Sequence, residues 1–315
     1  MKTSVVIPVR NGARTIEATL ETVLSQSVPP DEILILDDGS TDNTASIVRS
    51  YREKVRLLQQ ANRGIAPSRN TLCLEARGDL IAFLDADDLW HPRYLELQRR
   101  SFAFCPNAVA YFTGHVNFRG YGNYQWDVDP AWGAPDIELI GPLEFLKRYN
   151  AKTGYFASMS YCCVPKKVLT AIGEEPFRVS GVDDSYLCTT LPLYGEVAYA
   201  SLPLVAYRVT DAANSVNRLK MFGLWVRVFE LLEERYEREA GKHLREEFRL
   251  AFASKKRQYG KLLMAAGRGS EARRQFWQSM RNSSNPSSMA KSVGLFLSSY
   301  MPSPLHPKWP LLYRQ

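Results

Sequence analysis

Short apolar runs of strand length alternate with segments of helical periodicity through the first 90 residues of the chain. The apolar runs occupy residues 3–9, 32–40, 55–60 and 79–88, and the first of them reads TSVVIPV. Strands that are apolar on both faces are typical of a parallel sheet covered by helices on both sides, with right-handed crossovers between the strands. The alternation therefore predicts an α/β fold with a Rossmann-like, mixed but mostly parallel sheet flanked by helices.

The rest of the chain changes character twice. Residues 101–150 are rich in aromatic residues, glycine and proline, and they are predicted to form an irregular segment that carries a binding surface. Short strands are predicted near 158–165 and 196–207, with a helix at 166–172 between them. From about residue 217 the apolar residues recur at helical spacing, which predicts a helical appendage rather than a continuation of the sheet.

These patterns predict an α/β domain at 1–216 and a helical C-terminal region at 217–315, which is basic from about residue 251. Residues 251–315 contain 11 Lys and Arg against one acid, Glu271, a net charge of +10; since the chain carries +7, the first 250 residues carry −3. A basic face of packed helices and a surface that contacts an anionic membrane both fit this charge. Nucleic acid is not predicted as a partner, because no recognised binding motif accompanies the charge.

The start of the chain and the cysteines indicate a cellular compartment. The sequence MKTSVVIPVR lacks the long apolar segment and the cleavage site of a signal peptide, and no apolar run approaches the roughly 20 residues that cross a bilayer. The five cysteines are odd in number and contain no C-x-x-C pair, so we expect buried free thiols. The expected location is the cytoplasm, with the basic helices suited to the inner face of the membrane.

Two groups of carboxylates follow apolar runs that are far apart in the sequence. Asp37 and Asp38 end the second run, and Asp85, Asp87 and Asp88 end the fourth. The carboxyl ends of parallel strands line the ligand crevice of an open sheet, so both groups are expected at one edge. Either group alone could be a turn or a helix cap. Together they favour a hard divalent cation, Mg²⁺ or Mn²⁺, and a nucleoside diphosphate compound as the ligand.

Several common catalytic motifs are absent from the sequence. There is no G-x-x-x-x-G-K-[ST] motif of P-loop enzymes, and no G-x-G-x-x-G follows the first strand. The zinc protease motif H-E-x-x-H and the hydrolase motif G-x-S-x-G are also missing. Nucleotide chemistry of the P-loop type, a dinucleotide cofactor and these two classes of hydrolase are therefore not predicted.

The ordered motifs resemble those of the family 2 inverting glycosyltransferases, which have the GT-A fold. The resemblance rests on P-V-R-N after the first strand, D-D-G-S-T-D, G-x-x-x-x-R-N, D-A-D-D, and V-S-G-V-D-D-S-Y-L at 179–187. It covers residues 3 to about 215, including the segment EVAYASLPLVAYRV. It implies transfer of a sugar from a nucleoside diphosphate (NDP) sugar to a hydroxyl, with inversion.

The resemblance also implies a role for each matching side chain. Asp184 corresponds to the catalytic base of the family. Asp87 would hold the metal ion on the diphosphate, with Asp88 assisting. The remaining matching residues would bind the nucleotide sugar: Pro8 and Arg10 line the base pocket, Asp37 and Asp38 hold the base, Arg69 reaches the base or phosphates, and Asp85 binds the ribose side.

Two positions depart from the family pattern. Thr210 stands where relatives often carry a metal-binding histidine, with Asp211 and Asn214 as possible substitutes, and Arg10 stands where many relatives have tyrosine. The Q-x-x-R-W motif of processive synthases is missing, which predicts transfer of a single sugar. The predicted function is transfer from an NDP-sugar, UDP-sugar favoured, to a glycan, glycolipid or protein acceptor. The alternatives are a nucleotidyltransferase that makes sugar nucleotides and a catalytically weakened sugar-nucleotide-binding protein.

Overall fold

The computed structural model describes residues 1–122, 124–126, 136–151, 158–209, 218–283 and 285–300. The chain forms two compact units, Met1–Ala213 and Asn214–Gln315. The predicted boundary after residue 216 falls among residues that are not described, so it stays a prediction. Each unit is treated by itself below.

The first unit alternates strands and helices in the predicted way. Its strands are β1 Thr3–Val9, β2 Glu32–Asp38, β3 Arg56–Gln60, β4 Leu80–Phe83, β5 Leu89–Trp90, β6 Ala110–Phe118, β7 Ile137–Ile140, β8 Cys162–Pro165 and β9 Val197–Arg208. Its helices are α1 Ile16–Leu24, α2 Thr44–Ser50, α3 Ile65–Glu75, α4 Tyr94–Phe104, α5 Pro142–Asn150, α6 Lys166–Ile172 and α7 Asp183–Thr190, with 3₁₀ turns at Met159–Tyr161 and Leu191–Leu193.

One mixed sheet runs through the first unit in the order β3-β2-β1-β4-β8-β6-β9-β5, with β7 paired to β9. The strands β3, β2, β1 and β4 are parallel, as predicted from the apolar runs. β8 is antiparallel to β4 and to β6, β9 is parallel to β6, and β5 and β7 are antiparallel to β9. The sheet is covered by helices and its central strands are buried. The predicted fold class is confirmed.

The prediction of an irregular segment over 101–150 is wrong for most of its length. The segment contains the end of α4, the whole of β6 and β7, and α5. β6 begins in an apolar run but continues through Thr113, Gly114, His115 and Asn117, so its second half lacks the apolar signal of a buried strand. A bulge lies at Gly114, where a Cβ atom would stand 2.7 Å from the carbonyl oxygen of Ser201.

The second unit is helical. It contains α8 Arg218–Glu239, α9 Lys242–Ala265, α10 Gly269–Arg281 and α11 Pro286–Ser298. Stacked rings of Tyr236 and Phe248, 3.9 Å apart, join α8 to α9, and Phe276 of α10 packs against Leu263 of α9. Among the described residues, no helix is both long enough and apolar enough to cross a membrane.

The five cysteines are all free thiols, and four of them are buried. The adjacent Cys162 and Cys163 both lie in β8 and are fully enclosed. This confirms the interpretation of the cysteines as packing residues.

Candidate active site

The carboxyl ends of β1, β2 and β4 meet at one edge of the sheet. Val9 of β1 pairs with Asp37 of β2, and Val6 of β1 pairs with Phe83 of β4, two residues before Asp85. The two groups of carboxylates therefore follow strands on either side of β1. Parallel neighbours in a sheet deliver the residues that follow them to the same crevice.

Asp37 and Asp38 are buried and brace the loops at this edge. Asp38 accepts hydrogen bonds from the backbone N–H groups of Arg63 and Gly64, both at 2.8 Å. Asp37 accepts the N–H of Ser40 at 2.9 Å. Between them and the next helix, Gly39 has φ +72°, and a Cβ atom there would lie 2.8 Å from the Asn62 nitrogen. The pair thus fixes the walls of the crevice around the predicted base pocket.

Pro8 lies within β1 near its end, and Arg10 follows the strand. Pro8 is buried and pairs with Leu36 of β2. Arg10, just beyond the strand, is exposed. Asn11, with φ 52°, turns the chain after it and accepts the N–H of Thr41 at 2.8 Å. The backbone that follows Arg10 is thus held beside the turn after Asp38.

Arg69 of α3 is a buried cation that joins two carboxylates from different parts of the chain. Its Nη2 donates to Asp85 and its Nη1 donates to Asp183, and its guanidinium lies 5.7 Å from the Phe177 ring centroid. Burial alone would lower the pKa of Arg69, but the charges of Asp183 and Asp85 raise it above its usual value. Only 5% of the residue is exposed, and the predicted contact of Arg69 with the donor stays a prediction.

The segment that carries the predicted base is tied to the same helix. Asn70 of α3 makes two hydrogen bonds of 2.9 Å to the backbone of Phe177, one as donor and one as acceptor. The loop then passes Val179, which has φ 62°, a conformation that β-branched residues rarely adopt. It ends at Asp183 and Asp184, the first two residues of α7. A strained backbone held by surrounding contacts is typical of functional sites.

Asp184 has the properties of a general base. Its Oδ1 accepts the Ser185 N–H at 2.6 Å. Burial, together with the neighbouring charge of Asp183, raises the pKa of Asp184 to about 7, although Arg69 opposes the shift. A carboxylate with a pKa near neutrality can accept a proton from a substrate hydroxyl.

The D-A-D-D cluster has a cationic partner that the sequence analysis did not identify. Arg208, at the end of β9, donates its backbone N–H to Asp88 Oδ1 at 2.8 Å, and its Nε donates to the carbonyl oxygen of Asp87 at 2.6 Å. Its Nη1 donates to the carbonyl oxygen of Gly120, and its guanidinium lies 4.4 Å from the Phe118 ring centroid. The sequence did contain a signal for a functional role of Arg208, since this arginine ends a predicted strand and is flanked by apolar residues.

Asp87 and Asp88 have the chemistry of a partial metal shell. Burial and the charge of Asp85 raise the pKa of Asp87 to about 6, and burial and the charge of Asp87 raise the pKa of Asp88. Asp88 Oδ2 is buried and accepts no hydrogen bond that meets geometric criteria within the described residues. A divalent cation would relieve both costs, so the two carboxylates fit one.

The rest of a metal shell is not found in the described parts of the chain. These contain no group of three or more His, Cys, Asp and Glu side chains placed to hold a metal ion. Thr210, which stands where relatives often carry a metal-binding histidine, lies outside the described residues. The possible substitutes Asp211 and Asn214 lie outside them as well. The remaining ligands of a cation on Asp87 and Asp88 would be water and phosphate oxygens, which Mg²⁺ commonly retains.

Aromatic side chains line the edge next to the carboxylates. His115 stacks on Tyr161 at 4.8 Å, and the Tyr207 ring, 36% exposed, meets His115 edge-on. Burial and the charges of Asp88 and Asp85 raise the pKa of Tyr207, which therefore lies close to the cluster. Sequence reasoning missed this tyrosine as well.

Trp90 and His91, which follow D-A-D-D closely, are buried in the first unit. Trp90 is fully buried, stacks on Tyr94 and donates its Nε1–H to the Ser160 carbonyl oxygen at 2.7 Å, so it is a core residue. His91 accepts the Arg93 N–H before α4 and meets Trp126 edge-on. Trp132, in the predicted binding loop, lies outside the described residues.

The comparison with protein families decides the classification. Residues 4–171, more than half of the chain, match the family described as "Glycosyl transferase family 2". The chain belongs to this family. The resemblance drawn from the motifs is confirmed, and the site residues from Pro8 to Asp88 lie within the matched range.

Curated relatives of this family 2 chain agree over its first part. The UDP-Glc:alpha-D-GlcNAc-diphosphoundecaprenol beta-1,3-glucosyltransferase WfgD of Escherichia coli is 39% identical over 124 residues, which are 39% of this chain and 45% of that protein. The chain spans less than half the length of the first curated relatives that it matches.

Solved structures of similar fold cover nearly the whole family 2 chain. S. aureus TarS 1-349 in complex with UDP-GlcNAc has a TM-score of 0.69 at 16% identity, over 95% of this chain and 90% of that one. The mannosyltransferase PcManGT of Pyrobaculum calidifontis, in complex with GDP-Man and Mn²⁺, has a TM-score of 0.58 at 20% identity, over 96% of this chain and 81% of that one. At these identities the likeness shows the GT-A fold alone.

Proposed function

We propose that this protein is an inverting glycosyltransferase that moves one sugar from an NDP-sugar, with UDP-sugar favoured, to an acceptor hydroxyl. The observation that carries the proposal is the link from Asp184, through Asp183 and Arg69, to Asp85 at the end of β4. This link holds a base with a pKa of about 7 in fixed relation to the carboxylates of the donor side. WfgD, named for a UDP-Glc donor, and TarS, solved with UDP-GlcNAc, support the UDP-sugar.

The reaction is a single in-line displacement in which Asp184 is the base. Asp184 Oδ2 takes the proton of the acceptor hydroxyl as its oxygen attacks the anomeric carbon from the face opposite the diphosphate. The bond from the anomeric carbon to the diphosphate oxygen breaks with its electron pair on the diphosphate, so the configuration inverts. Asp183, held by Arg69, fixes the start of α7 and with it the position of Asp184.

The donor lies along the edge formed by β1, β2 and β4 in this proposal. Pro8, Arg10, Asp37 and Asp38 form the base end, and Asp85 lies at the ribose side. Asp87 and Asp88 would hold Mn²⁺ or Mg²⁺, which when bound stabilises the charge on the departing diphosphate. PcManGT, solved with GDP-Man and Mn²⁺, supports a divalent cation here.

We assign the acceptor to the glycolipid class among the glycans, glycolipids and proteins that the family resemblance allows. WfgD, by its name, transfers to a sugar on diphosphoundecaprenol, a lipid carrier. A lipid-linked acceptor places the enzyme at the cytoplasmic, inner face of a membrane as a peripheral protein. The excess of Lys and Arg after residue 250 supports this location.

The decisive experiment separates donor binding from transfer. Asp184→Asn keeps the shape of the side chain and removes the base, so transfer from a UDP-sugar should fall by about 10²–10⁴-fold. The affinity for UDP-sugar with Mn²⁺, measured by calorimetry, should change less than about threefold, since Asp184 receives the acceptor proton and does not bind the donor.

The matched control is Glu53→Gln, which removes a carboxylate whose side chain is 87% exposed. This variant should transfer at the rate of the unaltered protein. Full transfer by Asp184→Asn would refute the assignment of the base. Donor binding without hydrolysis or transfer by the unaltered protein would favour the alternative of a sugar-nucleotide-binding protein.

A further inference from the structure

Helix α11 of the second unit buries serine side chains and leaves several of its apolar side chains exposed. Its inward face carries Ser288 and Ser292, which are 6% and 0% exposed. Its outward face carries Met289 and Leu297, which are 42% and 59% exposed, and Tyr300 just after the helix is 63% exposed. A surface helix of a globular domain normally turns its apolar stripe inward.

Polar contacts attach α11 to its neighbours. Arg257 of α9 is partly buried and donates through Nη1 to the hydroxyl oxygens of Ser288 and Ser292, at 3.0 and 3.1 Å. Arg273 of α10 donates to the carbonyl oxygen of Ser299 at 3.4 Å. The hydroxyl groups of the serine face are thus satisfied by arginine, and these hydrogen bonds add to the packing of Leu295 and Phe296 against the small core formed by α9 and α10.

The exposed apolar side chains of α10 and α11 form one continuous surface. The ring of Trp277, 55% exposed, lies 5.9 Å from Phe296, which lies 5.4 Å from Tyr300. Leu297 stands beside Phe296 on the same turn. We call the surface of Trp277, Phe296, Leu297 and Tyr300 the aromatic patch.

Basic side chains of α10 flank the aromatic patch. The Arg273 guanidinium lies 4.9 Å from the Tyr300 ring centroid, and Arg273 and Arg281 flank Trp277 at one-turn spacing on α10. Arg274 and Lys291 are exposed. Residues 251–300 contain nine Lys and Arg against one acid, Glu271, which is paired with Arg268 at 2.6 Å.

We infer that the aromatic patch and its arginines bind the surface of a bilayer that contains anionic phospholipids. Aromatic and aliphatic side chains enter the boundary between headgroups and acyl chains, while Lys and Arg contact the phosphates. The charge selects an anionic surface, and the exposed apolar side chains of Trp277, Leu297 and Tyr300 supply the insertion. The inference deepens the proposed function, since a membrane-linked acceptor makes such a surface useful.

Vesicle sedimentation with the full chain tests the surface directly. The protein should sediment with vesicles of phosphatidylcholine and phosphatidylglycerol and not with phosphatidylcholine alone, and salt raised from about 0.1 M to about 1 M should release it. Trp277→Ser combined with Leu297→Ser should weaken binding about tenfold or more. Arg274→Gln combined with Lys291→Gln should weaken it about 30-fold, since two charges at roughly 1 kcal/mol each amount to about 2 kcal/mol.

Matched variants in the first unit serve as controls. Phe104→Ser removes an apolar side chain that is 73% exposed, and Arg52→Gln removes a cation whose side chain is 83% exposed. Both should bind vesicles like the unaltered chain. Circular dichroism of each variant confirms that it is folded, which is expected because the altered side chains are exposed.

Four results would overturn the inference. One is no binding to anionic vesicles, and another is equal binding by the patch variants and the controls. The third is self-association that only the patch variants abolish, without vesicle binding, which would make a second copy the partner. The fourth is vesicle binding that is lost in Trp309→Ser but not in Trp277→Ser, which would move the site to the C-terminal segment. The assay contains no donor and no acceptor, so its outcome is independent of whether the proposed transfer occurs.

Discussion

Arg69 illustrates how one buried charged residue can join two parts of a site. Its terminal nitrogens are taken by Asp85 and Asp183, and the residue is almost completely buried. Breaking a buried ion pair costs several kcal/mol because the partner is left uncompensated. Here the pairs join the end of β4 to the start of α7, so the arginine sets the distance between the donor carboxylates and the base.

Replacing Arg69 by lysine should therefore lower kcat and leave donor KM nearly unchanged. A single ammonium cannot bridge two carboxylates in the way a planar guanidinium does, so α7 and Asp184 lose their register. We expect a fall in kcat of about 100-fold, as for a displacement of about 1 Å of a catalytic group. Steady-state kinetics with varied UDP-sugar and fixed acceptor measures both constants.

The control for this prediction is Arg56→Lys, since Arg56 also bridges two carboxylates, Glu32 and Glu75, away from the site. That variant should keep both constants. If Arg69→Lys raised donor KM with kcat intact, Arg69 would contact the donor as the family resemblance implies.

The raised pKa of Asp184 predicts a pH dependence of transfer and of stability. The base must be ionised, so kcat should rise about tenfold per pH unit below pH 7 and level off above it. Because the pKa of Asp184 in the folded protein is above its ordinary value of 3.8, protonation of Asp184 stabilises the fold. This contribution is complete below pH 4 and is lost as the pH rises through about 7.

Kinetics and urea unfolding of the unaltered chain and Asp184→Asn from pH 5 to about pH 9 test both parts. The unaltered chain should lose stability relative to Asp184→Asn as the pH rises toward 7, because asparagine does not ionise. Arg69, Asp183 and Asp85 face the same carboxyl and are present in both proteins. A kcat that does not change with pH between 5 and 7 would contradict the assignment of the base.

At the scale of single elements, the loop before α7 stores strain next to the base. Val179 has φ 62°, and left-handed backbone costs an L-residue about 1–2 kcal/mol. Nearby contacts hold the loop in place, since the Ser180 hydroxyl oxygen accepts the Ala66 N–H at 3.3 Å. Val179→Gly should remove the strain but loosen the loop, since glycine adds about 0.4–1 kcal/mol of unfolded-state entropy.

The expected result for Val179→Gly is a free energy of unfolding within about 1 kcal/mol of the unaltered chain and a kcat lowered about tenfold. Val179→Ala is the matched control, because it removes the larger side chain and keeps the restriction on the backbone. If both variants had the same kcat, the side chain and not the strained backbone would position Asp184.

The elements differ in how far the sequence could predict them. Strands β1, β2 and β4 are mainly apolar, and β3, RLLQQ, has two apolar residues. The parallel pairing of these strands, with the carboxylates at the ends of β2 and β4, was predictable from residue type and spacing. β6 was not, because its second half is polar and bulged at Gly114. Arg208 was missed for a different reason: its partners, Asp87 and Asp88, are about 120 residues away and meet it only through the pairing of β5 with β9.

At the scale of the whole molecule, charge and chemistry are divided between the two units. Every residue assigned to the donor or to the base, from Pro8 to Asp184, lies in Met1–Ala213. The first 250 residues carry a net charge of −3, and the excess of positive charge lies in the second unit. The first unit also has a large buried core of its own, formed by both faces of the sheet and the helices on them.

This division predicts that residues 1–216, expressed alone, fold and bind the donor. UDP with Mn²⁺ should raise the melting temperature of the fragment as it does that of the full chain, because a ligand at 100 times its Kd stabilises a fold by about 2.7 kcal/mol. EDTA should cancel most of the shift, since Asp87 and Asp88 then face the diphosphate without a cation. An equal shift with and without Mn²⁺ would contradict the metal assignment, and a fragment that shows no cooperative unfolding would contradict the domain assignment.

Vesicle binding should be absent from the same fragment, so one preparation separates donor recognition from the proposed contact with the membrane.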